Sequence, residues 1–182
     1  MLQEFEPLAT GRSHSLLAAD MQAKHSELKE ALAGSRVLVV GAAGSIGSYV
    51  VRELVKFSLK RIVLIDTSEN NLVETVRDLR SSPGVELPRE FSALPISLGS
   101  IECSRFLRDS EPFDYVFNLS AMKHVRTEKD VFSLMRMVDT NVLILDQLMQ
   151  ELKPGCRKVF SVSSDKAVNP ANFLGATKMA ME

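Results

Sequence analysis

The 182-residue chain contains no apolar run long enough to cross a membrane, and its N-terminus lacks the charged-then-apolar layout of a signal peptide. It has no excess of positive charge either. A net charge of -1 argues against a sequence-independent grip on nucleic acid, which needs a basic surface. Cysteine is scarce: Cys103 and Cys156 show neither metal-ligand spacing nor a disulfide framework. They read as reduced thiols of a cytoplasmic protein, and no metal site is expected. Internal repeats and low-complexity segments are missing. What is left is an ordinary soluble composition, 45% hydrophobic and 25% charged, in a length that suits one domain with a sizeable core.

The chain is organised around the stretch from Arg36 to Val55. Val37 to Val40 is a continuous apolar run, too short for a helix and rich in β-branched residues, so it reads as a fully buried parallel strand. Gly41, Gly44 and Gly47 follow, and then Ile46, Val50, Val51, Leu54 and Val55 recur at helical spacing. Strand, glycine turn and helix in this order open a dinucleotide-binding fold. Gly41 would make the tight turn, Gly44 would let a pyrophosphate approach the backbone, and Gly47 would let the helix pack on the strand. The helix start, from Ala43 through Ser45 and Ile46, offers N–H groups and a partial positive charge to the anion. A second strand, Arg61 to Ile65, ends in Asp66 about twenty residues later, where a ribose-binding acid belongs.

Residues 1–33 read as a loose arm and a helix from about Ser13 to Ala33, with Leu17, Met21, Leu28 and Leu32 on one stripe and Gly34 ending it. Residues 34–182 read as the dinucleotide-binding domain. After Asp66, Ser68 or Thr67 can cap a helix to about Arg80. The third strand is expected over Ser92 to Leu98, a short helix follows Gly99-Ser100 and carries Ile101, and the fourth strand runs from Asp114 to Ala121. A long helix is expected from Val131 to Leu152, a fifth strand from Lys158 to Val162, and a last helix from about Asn172. Alternating strands and helices predict a doubly wound α/β fold, a Rossmann-type parallel sheet with helices on both faces. The last helix is still running at Glu182, so the chain is expected to be truncated, with a substrate domain absent.

Ligands of open α/β sheets sit beyond the carboxyl ends of the strands. That gathers Gly41 to Gly47, Asp66, Ser100, Leu119 to Ala121, and Ser163 to Lys166 into one candidate site. Asp66 would accept from both hydroxyls of an adenosine ribose and repel a 2′-phosphate, and Thr67-Ser68 supply no arginine to offset it. NAD is therefore expected in preference to NADP, though NADP stays possible. His14 and His25 read as solvated residues on or near the first helix, and His124 as a packed or loop histidine.

The Gly-x-x-Gly-x-x-Gly spacing resembles the short-chain dehydrogenase/reductase superfamily, in its extended branch acting on nucleotide sugars. More specifically, Ser120-Ala-Met-Lys-His-Val125 resembles the Ala-Ala-x-Lys-His-Val segment of bacterial nucleotide-sugar 4,6-dehydratases of the polysaccharide-biosynthesis (CapD-like) family. Ser163-Ser-Asp-Lys-Ala-Val-Asn-Pro170, followed by Asn172-Phe-Leu-Gly-Ala-Thr-Lys178, is similar to that family's Ser-Thr-Asp-Lys-Ala-Val-Asn-Pro signature and its Gly-Ala-Thr-Lys. Ser68-Glu-Asn-Asn-Leu72 resembles the stretch after its second strand. The likeness spans about residues 34–182.

This resemblance implies dehydration of a UDP-linked N-acetylhexosamine, with NAD(P) used and returned within one turnover. Oxidation at C4 acidifies the C5 proton, water leaves across C5 and C6, and the hydride returns to C6. It implies Asp165 as the acid for the departing hydroxyl and Lys166 as the base for the C5 proton. Each would need a pKa displaced toward neutrality, which burial could supply. Ser164 would bond the C4 oxygen and Lys178 the nicotinamide ribose. Ser68, Ser100, Ile101 and Lys123 join the cofactor set, Lys123 as a cofactor or substrate contact. Asn141 either holds the strand-four backbone open near the cofactor or is an ordinary buried amide. Two departures stand out: Leu174 where the superfamily places tyrosine, and Ser100 where an aspartate usually meets the adenine. A homo-oligomer through the long and last helices is implied. A related epimerase or ketoreductase, or a non-catalytic NAD-binding module, are the alternatives. The chain alone is expected to be inactive.

Overall fold

The computed structural model describes residues 11, 18–123 and 129–182. In chain order it contains α1 (Ala18–Leu32), β1 (Arg36–Val40), α2 (Ser45–Leu54), β2 (Arg61–Ile65), α3 (Glu69–Ser81), β3 (Glu90–Leu94), α4 (Ile101–Asp109) and β4 (Tyr115–Asn118). Then come α5 (Val131–Val138), α6 (Ile144–Glu151), β5 (Lys158–Ser161) and α7 (Phe173–Met181). All five strands are parallel in the order β3-β2-β1-β4-β5, a doubly wound Rossmann-type sheet whose direction of growth reverses between β1 and β4.

The two central strands show why the sequence folds this way. In β1, Val37 and Val39 pack with α1, α2 and α3 on one face, while Leu38 and Val40 pack with α4 and α6 on the other. Ile62 and Leu64 against Val63 and Ile65 repeat this division in β2. A sheet covered on both faces needs apolar residues at every position, and these eight are at most 2% exposed. Each contributes about 1.5–3 kcal/mol of burial, so the two strands anchor the fold.

Four expectations shift. The third strand stops at Leu94 instead of reaching Leu98, because Pro95 has no N–H for the ladder. The fourth stops at Asn118, whose Oδ1 accepts from the backbone N (3.3 Å) and Oγ (2.6 Å) of Ser120 and turns the chain out of the sheet. The helix expected over 131–152 is interrupted by a π-helical turn, Asp139–Leu143, between α5 and α6. On α1, Leu17 lies outside the described residues, Met21 is exposed, and only Leu28 and Leu32 pack against the core. Tyr115 also secures this helix, donating its hydroxyl to the Ala31 carbonyl at 3.2 Å. The His25 ring stands 5.8 Å from that of Phe57. His14 and His124 lie outside the described residues.

Candidate active site

A cleft of about 640 Å³ opens at the carboxyl ends of the strands, where the strand order reverses. One wall is the glycine turn. Gly41 has φ +72°, and a Cβ there would lie 2.7 Å from the Ser120 backbone N, so both its conformation and the passing β4 loop exclude a side chain. A Cβ on Gly47 would overlap the Gly41 carbonyl oxygen and lie 2.9 Å from Ala42 backbone atoms, so α2 can start against the turn only with glycine there. At Gly44 the nearest atom to such a Cβ is 3.4 Å away, and its other side faces the cleft. Side chains of Ser68, Ser100, Asp130 and Asn172 cap α3, α4, α5 and α7, but the Gly44 cap of α2 provides none. The first N–H groups of α2 are thus left for an anion. Asp66 reaches back from β2, its Oδ2 accepting from Ala43 N (2.9 Å) and its Oδ1 from Ser68 N (3.0 Å). Each carboxylate oxygen keeps acceptor capacity for a further donor. Charge, open N–H groups and glycine clearance together fit a dinucleotide.

The other end of the cleft is formed by the segment after β5 and by α7. Ser164 starts the 3₁₀ turn Asp165–Ala167 and accepts from Lys166 N at 3.3 Å, which leaves its own proton for a ligand. Lys178 is buried, 4% exposed, and donates to the Val162 carbonyl at 2.8 Å. Its burial holds the ammonium pKa below the usual lysine value, against the opposing charge of Glu182. Asp165 and Lys166 are placed differently from the expectation of buried groups. Their ion pair, 3.3 Å long, leaves the side chains 87% and 47% exposed, because the turn stands on the outer lip of the cleft. Asn141 lies behind the cleft wall. Its Oδ1 accepts from Met122 N (3.0 Å) and its Nδ2 donates to Met122 O (3.1 Å) and Thr177 Oγ1 (3.0 Å), tying the β4 loop to α7.

Residues 37–182 match the family described as "Polysaccharide biosynthesis protein". The chain belongs to this family. One relative, an uncharacterized membrane protein of Methanocaldococcus jannaschii, is 35% identical over 148 residues, which are 80% of this chain and 41% of that protein. The capsular polysaccharide biosynthesis protein CapD of Staphylococcus aureus is 31% identical over 154 residues, 83% of this chain and 25% of that one. The chain thus spans less than half the length of these curated relatives. Among solved structures, the Bordetella bronchiseptica enzyme WbmF in complex with NAD+ shares the fold, with a TM-score of 0.61 and 20% identity over 82% of this chain and 44% of that one. No helix among the described residues is long and apolar enough to cross a membrane, although one relative is named a membrane protein.

In this polysaccharide-biosynthesis chain the cleft brings together Gly41, Gly44, Ser45, Ile46, Gly47, Asp66, Leu119, Ser120, Ala121, Lys123, Ser164, Lys166 and Lys178. Ala43 contributes through its backbone N–H to Asp66. Ser68 and Ser100 act as helix caps, and Ile101, 87% exposed, points to solvent, so these three stand outside the cleft lining, as do Asn141 and Asp165. Arg136, Thr140 and Ile144 line the cleft without having been singled out in the sequence. Their four-residue spacing was a usable signal, but on an undistorted helix it marks one face without saying which wall it meets.

Proposed function

We propose that the chain is the NAD(P)-binding portion of a cytoplasmic nucleotide-sugar 4,6-dehydratase acting on a UDP-N-acetylhexosamine. The observation that carries this reading is one cleft joining the glycine turn and Asp66 at one end to Ser163, Ser164, Lys166 and Lys178 at the other. The first turn of α2 binds the pyrophosphate and Asp66 orients the adenosine ribose. Bound NAD(P) supplies hydride acceptance and return at the sugar. Lys178 holds the nicotinamide ribose, and the Ser164 hydroxyl bonds the C4 oxygen. Asp165 protonates the departing 6-hydroxyl, while Lys166 takes the C5 proton. Substrate seating over the exposed Asp165–Lys166 pair supplies the desolvation their roles require. Exposed Phe132, Met135 and Leu143 on the long helix, with Met179 on α7, support a homo-oligomer.

The reading is tested by incubating the full-length protein with UDP-N-acetylglucosamine and NAD+ and weighing the product. Loss of one water is the expected result. A chromatographically distinct isomer of unchanged mass would mean an epimerase, loss of two hydrogens with NADH formed a ketoreductase running in its oxidative direction, and no conversion a non-catalytic module, which Leu174 in the cleft would favour.

Two substitutions probe the assigned roles. Asp66→Ala should weaken NAD+ binding about ten-fold or more and narrow its advantage over NADP+, since a charged acceptor and two ties to the loop are lost. Calorimetric titration checks this, and equal affinity for the two cofactors in the unmodified protein would remove Asp66 from ribose selection. Lys166→Ala should permit cofactor reduction on mixing with substrate and then stall, because the base acts only once the 4-keto sugar exists. Stopped-flow absorbance would show the stall. Full turnover by this variant would take Lys166 out of the mechanism.

A further inference from the structure

We propose that Thr140 is a ligand-binding residue of the cleft, its hydroxyl donating a hydrogen bond to the ribose–diphosphate middle of the dinucleotide. The proposal rests on reading the cleft as a dinucleotide site. Thr140 Oγ1 is buried and has no hydrogen-bond partner among the described residues, although the residue lines the cleft. Buried hydroxyls are nearly always paired, and an unmade bond of this kind points to a missing partner.

The π-helical turn Asp139–Leu143 explains how the hydroxyl came to be orphaned. A threonine inside an ordinary helix commonly donates to a carbonyl three or four residues back. Thr140 makes no such bond, whereas Thr177 on α7 does so, donating to the Leu174 carbonyl at 2.9 Å. The wide turn also separates two adjacent side chains. Asn141 is directed to Met122 and Thr177 behind the wall, while Thr140 joins Arg136 and Ile144 on the cleft side. Single π turns within helices recur at functional sites for such local redirection. Threonine has two accessible rotamers in a helix, so exchange of methyl and hydroxyl brings the donor to the cleft surface at small cost. A ribose hydroxyl and a phosphate oxygen both accept such a bond, and either satisfies the geometry.

The test compares Thr140→Val and Thr140→Ser with the unmodified full-length protein, by calorimetric titration with NAD+ and by thermal melting without ligand. Thr140→Val should weaken NAD+ binding about ten-fold, the loss of one hydrogen bond, and Thr140→Ser should stay within about two-fold. Without ligand, Thr140→Val should melt no lower than the unmodified protein, because the hydroxyl has no structural partner to lose. Unchanged NAD+ affinity in Thr140→Val would overturn the assignment of Thr140 alone. A lower melting temperature for ligand-free Thr140→Val would overturn it too, by revealing a structural partner for the hydroxyl. Failure of the unmodified protein to bind NAD+ would overturn the dinucleotide reading and the Thr140 assignment together.

Discussion

Gly47→Ala is expected to lower the melting temperature by about 5–10 °C and to abolish NAD+ binding, while Gly44→Ala keeps the fold and loses binding alone. The difference lies in what each added methyl meets. At Gly47 it overlaps the Gly41 carbonyl oxygen and crowds Ala42 backbone atoms, none of which can swing aside as a side chain would. Relief requires moving the start of α2 away from β1, at an overpacking cost of about 2–3 kcal/mol. The same movement dismantles the array of N–H groups at the helix start. At Gly44 the methyl lies 3.4 Å from the Gly41 oxygen, an ordinary contact, and otherwise projects toward the cleft. In the proposed complex it would occupy the approach of the pyrophosphate, and it should weaken binding about 100-fold with little change in melting. Melting curves and calorimetric titration of the two variants check the pair. Retention of NAD+ binding by Gly44→Ala would place the pyrophosphate elsewhere.

Lys178→Met is expected to abolish single-turnover reduction of NAD+ by substrate in the full-length protein, whereas Leu174→Phe keeps most of it. Leu174 lines the cleft where a tyrosine would take the proton from the C4 hydroxyl, and leucine has no proton to exchange. In the proposed mechanism the proton would then leave through Ser164 and a water to Lys178, or to Lys123, all of which line the cleft. Burial makes Lys178 readier than an ordinary lysine to exist unprotonated, which suits it to this task. Its removal should cost on the order of 10²–10⁴ in rate, beyond the loss of the ribose contact. Leu174→Phe changes no proton-carrying group. If Leu174→Tyr reduces NAD+ and the unmodified protein never does, the natural chain is a binding module.

The same lysine has a signature in stability. Its folded pKa lies below 10.5, so between that lowered value and 10.5 the unfolded chain binds more protons. Stability contributed at this site therefore rises with pH through that window, and below it the full cost of the buried charge is present. Lys178→Met should flatten this slope, as denaturant titrations across the alkaline range would show.

The frame of this protein was legible in its sequence because the signals involved are local. Val37 to Val40 and Ile62 to Ile65 are apolar at every position, a pattern that only a strand covered on both faces satisfies. Thr67 and Ser68 marked the start of α3 because a cap is a contact between neighbours in sequence, and it is Ser68 that accepts from the N–H three residues on. The glycine spacing announced the turn for a similar reason, since the Gly47–Gly41 approach spans a single loop. What the tertiary structure decided depends on contacts between distant segments, or on exposure. Asp165 and Lys166 are adjacent in any conformation, yet only the packing of α7 against their turn sets it on the cleft lip. The π-helical turn also left no local mark. It is stabilised where Asn141 binds Met122, 19 residues earlier, and Thr177, 36 residues later, and those bonds exist only once the β4 loop and α7 meet. Thr140 meets the cleft from within that turn, which is why this part of the inner wall belongs to the fold and the glycine wall to the sequence.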